Sequence, residues 1–155
     1  MVKSPEERLA AGGIQLPPAV TPFGAYVPAV QTGNLLFLSG MLPTAGHEAK
    51  FLGRVGKELN TEQGRSAAYA AALNVLAVAK QHLGSLDKIS RVVRLGVYIA
   101  TTGDSADLVK IADAASELLR DIFGEGKMSS RLVFGVAALP LGVPVELEVI
   151  FEVSA

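Results

Sequence analysis

Nine residues in the final stretch of the chain alternate apolar with acidic, save at Ile150. Val145, Leu147, Val149, Phe151 and Val153 fall on one side of an extended backbone, and Glu146, Glu148, Ile150 and Glu152 on the other. Such a strand buries one face and cannot take hydrocarbon over both, so it calls for a sheet covered by a layer on one side only.

Two helical segments can supply that layer. The first starts at Asn60 or Thr61, runs to about Leu83 and stops at Gly84, with Ala68, Ala72, Val75, Leu76 and Ala79 as its stripe. Small residues on that stripe permit close approach to a neighbour, and Gly64 lies in the first turn, where a glycine is harmless. The second is predicted from Asp104 or Ser105 to Gly124, with Leu108, Ile111, Ala112, Ala115, Leu118, Leu119 and Ile122 on one face. A third, short helix opens the chain. Ser4 caps it, Pro5 takes its first position, Glu7 completes a capping box, and Gly12-Gly13 ends it. A proline-rich arm follows (LPPAVTPFG), either lying on the body or reaching a neighbour.

Strand chemistry fills the rest. Tyr26–Val30 and Leu35–Leu38 read as a hairpin about Gly33, with Pro28 confining the first strand to an edge or a bulge. A short strand is expected around Phe51–Val55 and another from Val92 to Ile99. Leu132–Leu139 is expected to pair with Val145–Val153 across the turn Pro140–Pro144. That pairing sets Arg131 opposite Glu152 and Glu146 opposite Ala137, and gives Val133, Gly135 and Ala137 to the carboxylate-bearing face. Arg131 and Glu146 would then stand roughly 20 Å apart, at ~3.4 Å per residue, and no single chain could bring both to one ligand. The mixed face reads as an inter-subunit surface. Residues 1–155 make one α+β domain, with residues 1–22 as its N-terminal helix and arm.

Composition supports an oligomer. Half of the 155 residues are apolar and only 19% are charged, against about 25% in an average soluble domain, so some apolar surface is expected to be hidden against another subunit. A net charge of −1 gives no basic field for nucleic acid. The absence of cysteine removes disulfides, thiolate nucleophiles and iron–sulfur clusters, and two histidines far apart (His47, His82) make no metal site. The longest apolar run, residues 67–79, is too short to span a bilayer, and the N-terminus has acidic residues where a signal peptide needs an apolar core. A cytoplasmic setting is expected.

No P-loop, dinucleotide fingerprint or catalytic triad is present. The residues left to carry chemistry are few: Arg131 at a strand start, Glu146 and Glu148 on the last strand, Ser39-Gly40 after an apolar strand, and Tyr26. Taken singly, each has a plain structural explanation: a solvated strand end, an exposed strand residue, a turn, a half-buried aromatic. Arg131 also has a sharper one, since a guanidinium pairs bidentately with a carboxylate.

Together the strings Gly24-Ala25-Tyr26-Val27, Leu38-Ser39-Gly40-Met41-Leu42-Pro43, and Arg131 through Leu139-Pro140 to Val145-Glu146-Leu147-Glu148 resemble the RidA (YjgF) family of reactive imine/enamine deaminases, also called L-PSP endoribonuclease-like. The resemblance runs from about Gly24 to Val153 and marks a divergent branch with an added N-terminal helix. It implies a chorismate-mutase-like subunit, two long helices on one face of a single sheet, assembled as a homotrimer with ligand clefts between subunits. It further implies hydrolysis of 2-imino acids to 2-keto acids and ammonia without metal or organic cofactor. Arg131 would hold the substrate carboxylate, Glu146 would position the attacking water, and Tyr26, Ser39 and Gly40 would line the pocket. Val133 and Met41 stand where the family often has cysteine and glutamine, and Asp113 where it has a helix asparagine. The alternatives are a non-catalytic trimer binding small carboxylate metabolites and, ranked below both, a ribonuclease, which the net charge and the few aromatics disfavour.

Overall fold

The computed structural model describes residues 2–103 and 107–154. Among the described residues, seven strands and three α-helices follow in the order α1 (Pro5–Ala11), β1 (Ala29–Thr32), β2 (Leu35–Leu38), β3 (Thr44–Ala45), β4 (Glu48–Ala49), α2 (Thr61–Leu83), β5 (Ile89–Ala100), α3 (Leu108–Phe123), β6 (Ser130–Val136) and β7 (Val145–Val153). Five strands form one mixed sheet in the order β1-β2-β7-β5-β6, and β3 and β4 make a separate small hairpin.

The alternation of residues 145–153 does what it demands. Val145, Leu147, Val149, Phe151 and Val153 are all at most 3% exposed and face the helices, with Phe151 stacked obliquely on Phe123 of α3, ring centres 5.6 Å apart. On β5 the large buried residues are Ile89, Val92, Leu95, Val97 and Ile99, with Ala100 buried at its end. The three-residue steps from Ile89 to Val92 and on to Leu95 are absorbed by register shifts against β7, so a bulge keeps the apolar residues on one face.

The pairing of the last two strands differs from the sequence expectation. β6 and β7 do not form a hairpin: β6 runs parallel to β5, and β7 lies on the other side of β5, antiparallel to it and to β2. The segment after α3 thus closes a β-α-β crossover, and β7 fills the slot between the β1–β2 hairpin and β5. This changes the parity of β6. Residues Arg131, Val133 and Gly135 are level with Leu95, Val97 and Ile99 and point to the helix side. Leu132, Phe134 and Val136 share the open face with Glu146, Glu148 and Glu152, in place of the expected Val133 and Gly135; Ala137, expected there too, lies beyond the strand. A slip of one residue exchanges every side chain between faces.

Smaller corrections follow from backbone chemistry. No strand forms at Phe51–Val55; Gly53 has φ +118° and its N–H bonds to Gly142 O, while Val55 makes only isolated bridges to Leu59 and Thr101. Strand β1 begins at Ala29, after Pro28, leaving Tyr26 and Val27 outside it. Asp104 and Ser105, the expected start of α3, lie outside the described residues. Gly64 is not a neutral filler: a Cβ there would lie 2.9 Å from Ile111 Cδ1 and 3.2 Å from Val55 Cγ2, so its lack of a side chain sets the approach of α2 to α3.

Both expected caps are in place. Ser4 and Glu7 form the reciprocal box on α1, Asn60 and Gln63 the same on α2, and Gly84 ends α2 in the left-handed region. Helix α1 is tied to the body by Glu6, whose carboxylate accepts from Leu86 N–H (2.9 Å) and Lys80 Nζ (3.1 Å). The arm after it lies on the body, with Val20 buried and Ile14, Leu16 and Ala19 packed on the core.

Candidate active site

The loop after β2 carries most of the candidate residues. Ser39 N–H donates to Pro28 O (3.0 Å), and Ser39 Oγ donates to Val27 O (2.6 Å). Met41 and Leu147 exchange backbone hydrogen bonds at 2.8 and 2.9 Å, which fastens this loop to the start of β7. Gly40 therefore lies against Glu146, and a Cβ at Gly40 would overlap Glu146 Oε2 and fall 2.9 Å from Glu146 Cδ. A side chain at position 40 would displace the Glu146 carboxyl group from that space.

Tyr26, Ser39, Gly40 and Glu146 together line one cleft of about 490 Å³, completed by Phe23, Gly24, Leu42, Pro140 and Leu141. Tyr26 Oη accepts from Phe23 N–H at 2.9 Å, which folds the end of the arm over the cleft, and the Phe23 ring stacks on His47 with centroids 4.2 Å apart. Leu141 holds φ +59°, a left-handed backbone uncommon for a branched residue. The walls are mostly apolar, and burial raises the Glu146 carboxyl above its ordinary value of 4.5. A carboxyl tuned this way can exchange a proton with a bound ligand at milder pH than a solvated one.

Arg131 is not in this cleft. Glu146 is level with Tyr98 on β5 and Arg131 with Leu95, so their backbones are about 14 Å apart, two strands over and three residues along. Their side chains also leave opposite faces of the sheet. Arg131 lies over α3, where Nη1 donates to Asp113 Oδ1 at 2.8 Å and to Ser116 Oγ at 3.1 Å. These residues line a second cleft of about 400 Å³ with Glu117 and Arg120. The reason for the separation therefore differs from the hairpin geometry, but the separation itself holds within one chain.

Glu148 belongs to neither cleft. On the open face it is engaged by Arg94 Nε (3.4 Å) and Tyr98 Oη (3.3 Å). Met41 is buried in the core, and Val133 packs against that core from the helix side. Among the described residues, no group of three or more His, Asp or Glu could hold a metal ion, and no helix is long and apolar enough to cross a membrane.

Sequence reasoning missed the apolar walls, Phe23, Leu42 and Leu141, which come from segments without periodicity. It also missed Asn74. This residue interrupts the alanine stripe of α2, is 1% exposed, and donates through Nδ2 to Leu42 O (2.8 Å) and Thr44 O (3.0 Å). A buried amide in an alanine stripe is a legible signal, since it needs polar partners in the segment it touches.

Comparison with known proteins agrees with this architecture. The family model described as "YjgF/chorismate mutase-like, putative endoribonuclease" matches residues 6–152. The chain belongs to the YjgF/chorismate mutase-like family. This YjgF-family chain is 36% identical over 144 residues to Protein TCP17 of Trypanosoma cruzi, a match covering 92% of this chain and 89% of the relative. It is 31% identical over 141 residues to a 2-iminobutanoate/2-iminopropanoate deaminase of Dermatophagoides farinae, covering 91% and 95%. A crystal structure of a protein from Agrobacterium tumefaciens, solved without a known function, superposes with a TM-score of 0.88 at 34% identity, over 97% of this chain and 92% of the other.

Proposed function

We propose that this YjgF-family chain hydrolyses 2-imino acids to 2-keto acids and ammonia, at a cleft completed by a second copy of itself within a homotrimer. The observation that carries the reading is the Glu146 carboxyl, partly desolvated, packed on Gly40 and facing an apolar cleft. The deaminase named among its relatives supports the reaction class.

The chemistry asks little of the protein. A protonated imine is already electrophilic at C2, so orientation and one activated water suffice. Glu146 as carboxylate takes a proton from water while the water oxygen bonds to C2 and the C=N pair returns to nitrogen. The resulting carbinolamine then receives that proton on nitrogen, its C–N bond breaks as an oxygen lone pair forms the keto group, and the hydroxyl proton returns to the Glu146 carboxylate, from which the departing ammonia takes it as ammonium. Among the described residues, the cleft around Glu146 is lined by no cation that could hold the substrate carboxylate. Arg131 can fill that role when a neighbouring subunit brings it there. The open sheet face is suited to such contact, with Val30, Phe37 and Phe134 at 52%, 39% and 54% exposure.

The test is ammonia and keto-acid release from 2-iminobutanoate generated in place by an amino acid oxidase. Acceleration over buffer that is lost in Glu146→Gln and in Arg131→Ala is expected. No acceleration by the wild-type protein would sink the reading, and saturable keto-acid binding without turnover would favour a carboxylate-binding trimer instead.

A further inference from the structure

Arg131 has a negative partner of its own. Asp113 and Ser116 stand one turn apart on α3 and both take hydrogen bonds from Nη1. Among the described residues, Nε and Nη2 of Arg131 have no protein partner, although a guanidinium carries five N–H donors in a planar fork. One end of the fork is thus fixed and the remaining edge is open. The pair is also accessible, with side chains 25% (Arg131) and 43% (Asp113) exposed in the second cleft.

A receptor built only for an anion would leave its arginine uncompensated. Here a carboxylate docking on the open edge of Arg131 must come close to the Asp113 carboxylate, and like charges at such range repel. A ligand with a cationic nitrogen one carbon away from its carboxylate meets no such penalty, because the nitrogen can face Asp113 while the carboxylate faces Arg131. We propose that Asp113 makes the Arg131 cleft a receptor for zwitterionic 2-iminio and 2-amino carboxylates and sets it against the corresponding 2-keto acids. This deepens the proposed function and rests on its assignment of the carboxylate to Arg131. It gives that reaction a direction in binding: the substrate as a protonated imine satisfies both charges, and the keto-acid product has lost the cation and is released.

The test compares two stable probes of one carbon skeleton, 2-aminobutanoate and 2-ketobutanoate, by calorimetry on the full-length assembled protein. The wild type is expected to bind 2-aminobutanoate more tightly. Asp113→Asn should shift the affinity ratio toward 2-ketobutanoate by about three- to tenfold, the range of a partly exposed charge interaction. Asp113→Glu should keep the wild-type preference, and Arg131→Ala should abolish binding of both. A residue that merely orients Arg131 would weaken both probes together. An unchanged ratio in Asp113→Asn overturns the proposal. A wild type that prefers 2-ketobutanoate or binds neither probe overturns it as well, even if no variant folds. A ratio that moves with Asp113 in a protein without imine turnover leaves the receptor standing and removes the deaminase; turnover with an immobile ratio does the reverse.

Discussion

Arg131 and Glu146 leave opposite faces of one sheet, from strands that flank β5 on its two sides. A site using both must draw them from different copies of the chain. Mixing Arg131→Ala protein with Glu146→Gln protein, after dissociation and reassembly, is therefore expected to restore activity that neither variant has alone. Imine hydrolysis by the mixed sample reads this directly, and a mixture as inactive as its parts would mean that each copy works by itself.

Gly40 is predicted to be the least tolerant glycine of the cleft. A methyl group there would overlap Glu146 Oε2 and force the carboxyl away, so Gly40→Ala should cost about 1–3 kcal/mol, as overpacking does, and reduce turnover as well. Combining Gly40→Ala with Glu146→Ala should recover most of that stability, a non-additivity that urea denaturation of the two singles and the double can measure.

Asn74 is expected to matter for stability more than its position on an alanine-rich helix suggests. Asn74→Leu removes the side-chain donor to Thr44 O and one of two donors to Leu42 O, which keeps Thr44 N–H at 2.9 Å, and a loss of about 1–3 kcal/mol is expected. Asn74→Asp, of equal size but able to donate only when protonated and then through one O–H, should also lose stability in the same denaturation experiment, most at neutral pH.

The pH response follows from the raised pKa of Glu146. In the interval between its ordinary value and the raised one, the folded chain holds a proton that the unfolded chain has released. Stability from this group therefore falls as pH rises through that interval, and the ionised carboxylate is a burden at neutral pH. Glu146→Gln should accordingly raise the melting temperature at pH 7.5, with the gain shrinking toward pH 4. Turnover should have the opposite sense, declining on the acid side at a pH above 4.5 as the base is protonated.

Much of this fold is legible in the sequence because local rules and tertiary needs coincide. The capping boxes at Ser4 and Asn60, the amphipathic face of α3 and the alternation of β7 each state their element and its buried side. The partner of β6 is not legible in that way. Residues 130–136 are short, apolar on both faces and followed by a turn, so a hairpin with β7 and a crossover beside β5 satisfy the local signals equally. What separates them is that β7 has two apolar neighbours to satisfy, β2 and β5, and that choice is made by the whole sheet. The candidate site divides the same way. Tyr26, Ser39, Gly40 and Glu146 line one cleft, while Phe23, Leu42 and Leu141 come from irregular segments: Leu42 is held by Asn74 and Phe23 by Tyr26 Oη and the His47 ring.

Strand β7 comes latest among the described elements and occupies the middle of the sheet, between β2 and β5. On a ribosome, residues 29–136 would emerge as two sheet fragments with a vacant slot between them, each exposing unpaired edges and an apolar floor. Only synthesis of residues 145–153 joins them, so a nascent chain keeps those edges open to mispairing until that segment arrives. A deletion within it would remove the keystone and not merely shorten an end.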